Sequence, residues 1–147
     1  MKLNIETKIQ IQRPIGEVFE AIVNPDKMSR YFIAEGSGRL EEGMEVIWCF
    51  PEFPEERFPV RDIKIIPNRS VSFVWDPDTV VRINLEEQSD KSVLVQVSEG
   101  EKDLNDDNLK WFAGNTGGWA NFLACLKAFV EYGINLRKGA FEFMRPK

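Results

Sequence analysis

Between residues 3 and 12 the chain alternates strictly, with Leu3, Ile5, Thr7, Ile9 and Ile11 on one face and Asn4, Glu6, Lys8, Gln10 and Gln12 on the other. A period of two belongs to a strand with one face in a core and the other in water, and the alternation predicts a half-buried antiparallel strand. The period changes at Pro14. The fixed φ of proline suits a first helical turn, and Ile15, Val18, Phe19 and Ile22 recur at helical spacing, so a short helix is expected to end before Asn24 and Pro25. A second short helix should carry Met28, Tyr31 and Phe32. From residue 36 to residue 100 β-branched and aromatic runs alternate with turn signals at 41–43, 67–69, 76–78 and 88–90, which predicts about six strands. The clearest cover 71–75, 80–85 and 93–97. No helical pattern intervenes, so these strands should pair as an antiparallel meander.

The last third has a different period. After the acidic stretch 101–107, Asn115 or Thr116 is suited to cap a helix that runs to about Tyr132, with Gly133 placed to end it. Trp119, Phe122, Leu123, Cys125, Leu126, Phe129, Val130 and Tyr132 cover about half of its circumference, and Asn121, Lys127 and Glu131 take the rest. A surface helix needs a narrower stripe than this. A half-circumference face fits a helix held in the concave side of a curved sheet. The pattern therefore predicts an α+β fold in one domain, residues 1–147, without repeats or low-complexity linkers.

Composition narrows the function classes. The net charge of −5, with signs interleaved along the chain, gives no basic patch for nucleic acid or an anionic membrane surface. Arg137, Lys138, Arg145 and Lys147 are too few to change that. No apolar run approaches the ~18 residues of a membrane span, and the first residues read as a strand rather than an export signal, so a cytoplasmic location is expected. Cys49 and Cys125 fall in different predicted elements and are expected to be free, buried thiols. The aromatic share of 12%, with 11 Phe and 4 Trp, is generous, and that area must be placed somewhere in the fold.

Several short motifs carry a resemblance. Ile11 to Pro14 is followed by Glu17, Val18, Phe19 and Ala21, then by Asn24, Pro25, Tyr31 and Phe32, and finally by Gly118, Trp119, Leu123, Leu126, Lys127, Glu131 and Gly133. In this order and spacing they resemble the homologues of the activator of heat-shock protein 90 ATPase, within the START-like superfamily. The resemblance covers essentially the whole chain. It implies the helix-grip fold, a curved antiparallel sheet of about seven strands wrapped around a long C-terminal helix, with two short helices after the first strand. It also implies a cavity between sheet and helix. It does not by itself fix a function, because one scaffold of this kind hosts carriers, receptors, enzymes and chaperone partners. The activators that give the family its name carry a further N-terminal domain without a counterpart in these 147 residues, so chaperone activation is not implied directly.

Phe32, Trp48, Phe50, Phe73, Trp75, Phe122, Cys125 and Phe129 are the candidates to line that cavity; the alternative is a solid aromatic core. The segment 51–59 holds three prolines together with Phe53 and Phe58, which suits either a lid over the cavity mouth or a plain rigid loop. Asp103, Asn105 and Asp107 match the start of a calcium loop, but Asn108 and Gly114 stand where its glycine and bidentate glutamate belong, so the segment reads as a solvated turn and no metal is expected. The chain has no histidine, which excludes imidazole bases and most zinc sites, and no cofactor is indicated. The carboxylates fall mainly in predicted turns or on outward strand faces. Arg82 and Asn84 alternate with Val81, Ile83 and Leu85 and are read as solvent-facing; with the opposite parity Arg82 would anchor a ligand carboxylate. No catalytic residue stands out. Binding or carriage of a small, mostly apolar ligand is the leading expectation, ahead of a protein-interaction module related to chaperone regulation and of an enzyme working without histidine.

Overall fold

The structure is a computed structural model that describes residues 1–75 and 79–147. Strand β1 (Lys2–Ile11) is followed by helices α1 (Ile15–Val23) and α2 (Pro25–Met28). Six strands come next, β2 (Glu35–Gly36), β3 (Val46–Cys49), β4 (Phe58–Ile66), β5 (Ser70–Trp75), β6 (Thr79–Glu87) and β7 (Val93–Asp103). Helix α3 (Asp106–Tyr132) and a 3₁₀ turn at Glu142–Met144 complete the chain. The strands form one antiparallel sheet in the order β1-β7-β6-β5-β4-β3-β2, a meander closed by the first strand against the last. The predicted turn at 76–78 lies outside the described residues. This is the helix-grip arrangement, with α3 lying against β1, β7 and α1.

The alternating patterns explain the sheet. In β1 Ile5 and Ile11 are buried while Asn4, Glu6, Lys8 and Gln10 are exposed. In β6 Val81, Ile83 and Leu85 face the core and Arg82 and Asn84 face water, so Arg82 is not a cavity anchor. Two short elements depend on proline. Pro25 starts α2, and the Asn24 side chain accepts a hydrogen bond from the Asp26 amide at 2.9 Å. Pro25 also lacks the N–H that the Ala21 carbonyl would otherwise receive at the end of α1. The Tyr31 hydroxyl, wholly buried, donates to that carbonyl instead, at 2.9 Å. Tyr31 and Phe32 themselves follow α2 rather than lying on it: the helix makes a single turn, and both amides reach back to the Met28 carbonyl.

Helix α3 begins about ten residues earlier than the sequence pattern predicts. Asn105 is the cap, accepting from the Asn108 amide at 2.8 Å, and Asp106 and Asp107 place negative charge in the first turn, where the helix dipole favours it. Asn115 and Thr116 are therefore interior residues. The three acidic-turn positions are used structurally: Asp103 pairs with Lys2, Asn105 caps and Asp107 lies in the first turn. The predicted apolar face is buried at Trp119, Phe122, Leu123, Cys125 and Leu126 and half-buried at Phe129 and Val130, whereas Tyr132 is 69% exposed. Gly133 ends the helix in the left-handed conformation at φ 67°, its amide bonded to the Phe129 carbonyl at 2.8 Å and the Ile134 amide to that of Ala128 at 3.3 Å. Both cysteines are free and buried.

Candidate ligand-binding site

Where α3, the end of β5, the start of β4 and the connection 50–57 converge, the aromatic side chains do not close completely on one another. They leave a cavity of about 290 Å³ walled by Phe32, Phe50, Phe53, Phe58, Trp75 and Trp119. Phe32 is the hub of this wall: its ring meets Phe50 edge-on at 5.2 Å and Phe122 at 4.8 Å, and it lies 6.1 Å from Trp119. Trp75 and Trp119 are tilted against each other at 5.3 Å. Such edge-to-face sets hold ring positions more tightly than area burial alone. The proline-bounded connection and the start of β4 carry Phe53 and Phe58 into this wall, with turns closed by hydrogen bonds from the Phe53 amide to the Phe50 carbonyl and from the Glu56 amide to the Phe53 carbonyl.

Backbone matters on the helix side. Gly118 borders the cavity, and a Cβ built there would meet nothing within 4 Å. A larger residue at this turn of α3 would occupy the space.

The polar groups are few and specifically held. Glu99 is 1% exposed and accepts four hydrogen bonds. Its Oε2 takes the Trp75 indole N–H at 3.0 Å and the Thr79 hydroxyl at 2.6 Å; its Oε1 takes the Trp119 indole N–H at 2.8 Å and the Asn115 amide at 3.1 Å. A buried carboxylate is tolerable only when its lone pairs are used in this way. The two tryptophans thus turn their N–H edges to Glu99 and leave ring surface to the cavity. Arg137, from the segment after α3, lines the cavity and pairs with Glu52, Nη2 to Oε1 at 2.9 Å and Nη1 to Oε2 at 3.2 Å. Its guanidinium also lies over Phe50 at 5.5 Å and Phe141 at 5.0 Å. Met144 completes the outer wall. Among the described residues no three His, Cys, Asp or Glu side chains gather in a metal-binding arrangement.

The candidates named from sequence divide by position. Phe32, Phe50 and Trp75 line the cavity. Trp48 and Phe73 are packed behind it, with Trp48 edge-on to both Phe73 and Trp75 at 5.4 and 5.9 Å. Phe122 and Cys125 border a neighbouring hollow of about 140 Å³ beneath Phe141 and Met144, and burial pushes the Cys125 thiol above its usual range. Phe129 stacks on Tyr31 at 5.4 Å and faces a separate groove beside Gly16 and Glu17. Trp119, Gly118, Asn115, Arg137 and Glu99 were not among the candidates. For Glu99 the signal was present: Val93, Val95, Val97 and Glu99 share one strand parity, and all four are buried.

Residues 12–131 match the family described as Activator of Hsp90 ATPase homolog 1-like protein, and the chain belongs to that family. The fold is similar to the crystal structure of the protein SSP2350 from Staphylococcus saprophyticus, at 29% identity and TM-score 0.80, over 92% of this chain and 96% of that one. It is also similar to the solution structure of the Aha1 dimer from Colwellia psychrerythraea, at 21% identity and TM-score 0.76, over 89% and 98% of the two chains. CalU16 from Micromonospora echinospora shares the fold at 22% identity and TM-score 0.68, over 88% of this chain and 77% of that one. None of the curated proteins matches the chain in sequence. No helix among the described residues is long and apolar enough to cross a membrane.

Proposed function

We propose that this protein binds a small, mostly apolar ligand in the aromatic cavity beside α3. The observation that carries this reading is the unfilled space of about 290 Å³ walled by six aromatic rings, with the indole N–H groups turned away from it. That volume lies near the lower end of the roughly 300–1,000 Å³ typical of ligand sites, which are mostly apolar with a few fixed polar groups. Arg137 and Asn115 are the polar groups that reach the lining. Glu99, whose two oxygens already receive four donors, is poorly disposed to act as a base, which favours binding over catalysis.

A neutral, polarity-sensitive dye, N-phenyl-1-naphthylamine, tests the reading. Saturable binding to the wild-type protein at micromolar concentration is expected, equivalent to roughly 8 kcal/mol. Gly118→Leu should fill the cavity and weaken binding at least about tenfold, a loss of about 1.4 kcal/mol, while the thermal midpoint stays level or rises. Absence of saturable binding to wild type, or unchanged binding to Gly118→Leu, would remove the cavity from consideration.

A further inference from the structure

We infer that Arg137 is the specificity-determining residue of the aromatic cavity, that Glu52 is the positioning residue that holds it, and that together they favour apolar ring compounds bearing a neutral carbonyl oxygen over carbonyl-free and carboxylate analogues. The inference rests on the cavity being the binding site. Among the described residues Arg137 is the one charged side chain in the cavity lining. Its guanidinium itself reaches the wall, with the central carbon 5.5 Å from the Phe50 ring centre and 5.9 Å from that of Phe32. Glu52, wholly buried, fixes that position through its two oxygens at 2.9 and 3.2 Å. A guanidinium carries five N–H donors and no acceptor. The contacts with Glu52 engage one N–H on each terminal nitrogen, and the remaining donors meet no acceptor among the described residues. Asn115 keeps both an N–H and its oxygen unengaged beside its bond to Glu99, so it accommodates either polarity and does not discriminate.

Selection follows from what a bound ring does to those donors. The Arg137 side chain is 15% exposed, and a ligand seated against it displaces part of the remaining water. A donor that loses water and finds no acceptor carries its full desolvation cost, so a carbonyl on the ligand is favoured over a hydrocarbon group of the same shape. Charge then decides between kinds of acceptor. Glu52 already neutralises the guanidinium, and Glu99 stands behind Trp75 and Trp119 as a second buried carboxylate. A ligand carboxylate would give up its hydration to share one cation with Glu52, and no second cation lines the cavity among the described residues to offset that cost. A ketone or amide oxygen accepts the same hydrogen bonds without bringing a charge.

Three compounds of matched shape separate these cases: 2-acetylnaphthalene, its carbonyl-free analogue 2-isopropylnaphthalene, and 2-naphthoate, each titrated calorimetrically at pH 7. Wild type should bind 2-acetylnaphthalene at least about tenfold more tightly than 2-naphthoate. The double variant Glu52→Leu/Arg137→Met removes both charges, so that neither is left buried alone. In it 2-acetylnaphthalene should lose at least about tenfold more affinity than 2-isopropylnaphthalene does, the ratio expected when a hydrogen bond to a charged donor is lost; comparing the two losses cancels the difference in their hydrophobicity. Glu52→Gln supplies a readout that a merely structural role would not move. Loosening the chain around Arg137 would change all three affinities alike, whereas an uncompensated guanidinium should raise the affinity for 2-naphthoate relative to 2-acetylnaphthalene at least about tenfold. Should the double variant fail to fold, the wild-type order and the Glu52→Gln ratio decide. Equal losses of the two neutral compounds in the double variant, a wild-type preference for 2-naphthoate, or a ratio unmoved by Glu52→Gln overturns the assignment while dye binding in the cavity stands. If neither the naphthalenes nor the dye binds, the cavity reading falls and this inference falls with it.

Discussion

Tyr31 shows how one side chain repairs a defect that the sequence itself creates. Pro25 terminates α1 and leaves the Ala21 carbonyl without its helical donor; the Tyr31 hydroxyl takes that place while its ring packs on Phe122 and Phe129. Burial pushes the phenol well above its usual value, because ionisation would put an unsolvated charge in the core. A group whose pKa is raised on folding contributes stability that is fully present below its unfolded value, about 10 for tyrosine, and is lost as pH climbs through the folded value. Tyr31→Phe should thus cost ~1 to 3 kcal/mol at pH 7 by leaving a buried carbonyl unpaired. Urea denaturation should show that gap shrinking above about pH 10, where wild type loses the contribution and the variant has none to lose. A gap that widens with pH would mean the hydroxyl is not held as described. At this scale the sequence is partly legible. Proline marks the end of α1 plainly, but the donor that compensates it lies ten residues later and depends on the turn after α2. Glu99 was legible by strand parity, yet a carboxylate among valines runs against the usual cost of burying charge, and only the four donors brought from β5, β6 and α3 explain it.

Among the elements, the strands follow from periodicity because each has one face in water. Helix α3 does not, at its beginning. Gly114, Gly117 and Gly118 interrupt the pattern with residues that each cost about 1 kcal/mol relative to alanine in a helix, and the acidic stretch before them reads as a turn. Tertiary contacts override that propensity. The Asn105 cap, the acidic first turn and the packing of Trp111 and Phe112 against the core carry the helix through its glycines. Gly118 then invites the question of why a helix would keep a destabilising residue. A Cβ there clashes with nothing, so Gly118→Ala should stabilise the protein by ~0.5 to 1 kcal/mol through helix propensity alone. It should at the same time weaken dye binding modestly, since Gly118 borders the cavity. Gain of stability with loss of affinity is the signature of a residue retained for the space it leaves. A thermal melt showing Gly118→Ala to be less stable would contradict the open environment found at this turn.

Across the whole molecule, the cavity is finished by two irregular segments that meet over it. One is the connection 50–57, which brings Phe50, Phe53 and Glu52; the other is the chain after Gly133, which brings Arg137, Phe141 and Met144. Neither belongs to the sheet, and the side chains that join them are 85 positions apart in sequence, which is why no local pattern pointed to Arg137 or Glu52. The pair is largely out of water, with side chains 15% and 2% exposed, so its loss should matter more than that of a surface ion pair. Most of the chain after Gly133 is exposed, and it has little else to hold it: Ile134, Leu136 and Phe143 stand 53%, 52% and 81% accessible. Weakening the pair should therefore open the tail locally before it unfolds the sheet, since segments with few buried contacts exchange at low free-energy cost. Glu52→Gln keeps the side-chain size and removes the charge. Hydrogen exchange of the amides in residues 134–147 should accelerate at least about tenfold in this variant, an opening made easier by about 1.4 kcal/mol, while those of β6 and β7 keep their wild-type rates. Stopped-flow mixing with the dye should show faster entry in the same protein, because the segment that moves also forms the outer wall. If exchange accelerates throughout the sheet, Glu52 supports the core rather than the tail; if it changes nowhere, the ion pair does not fasten the cavity's outer side.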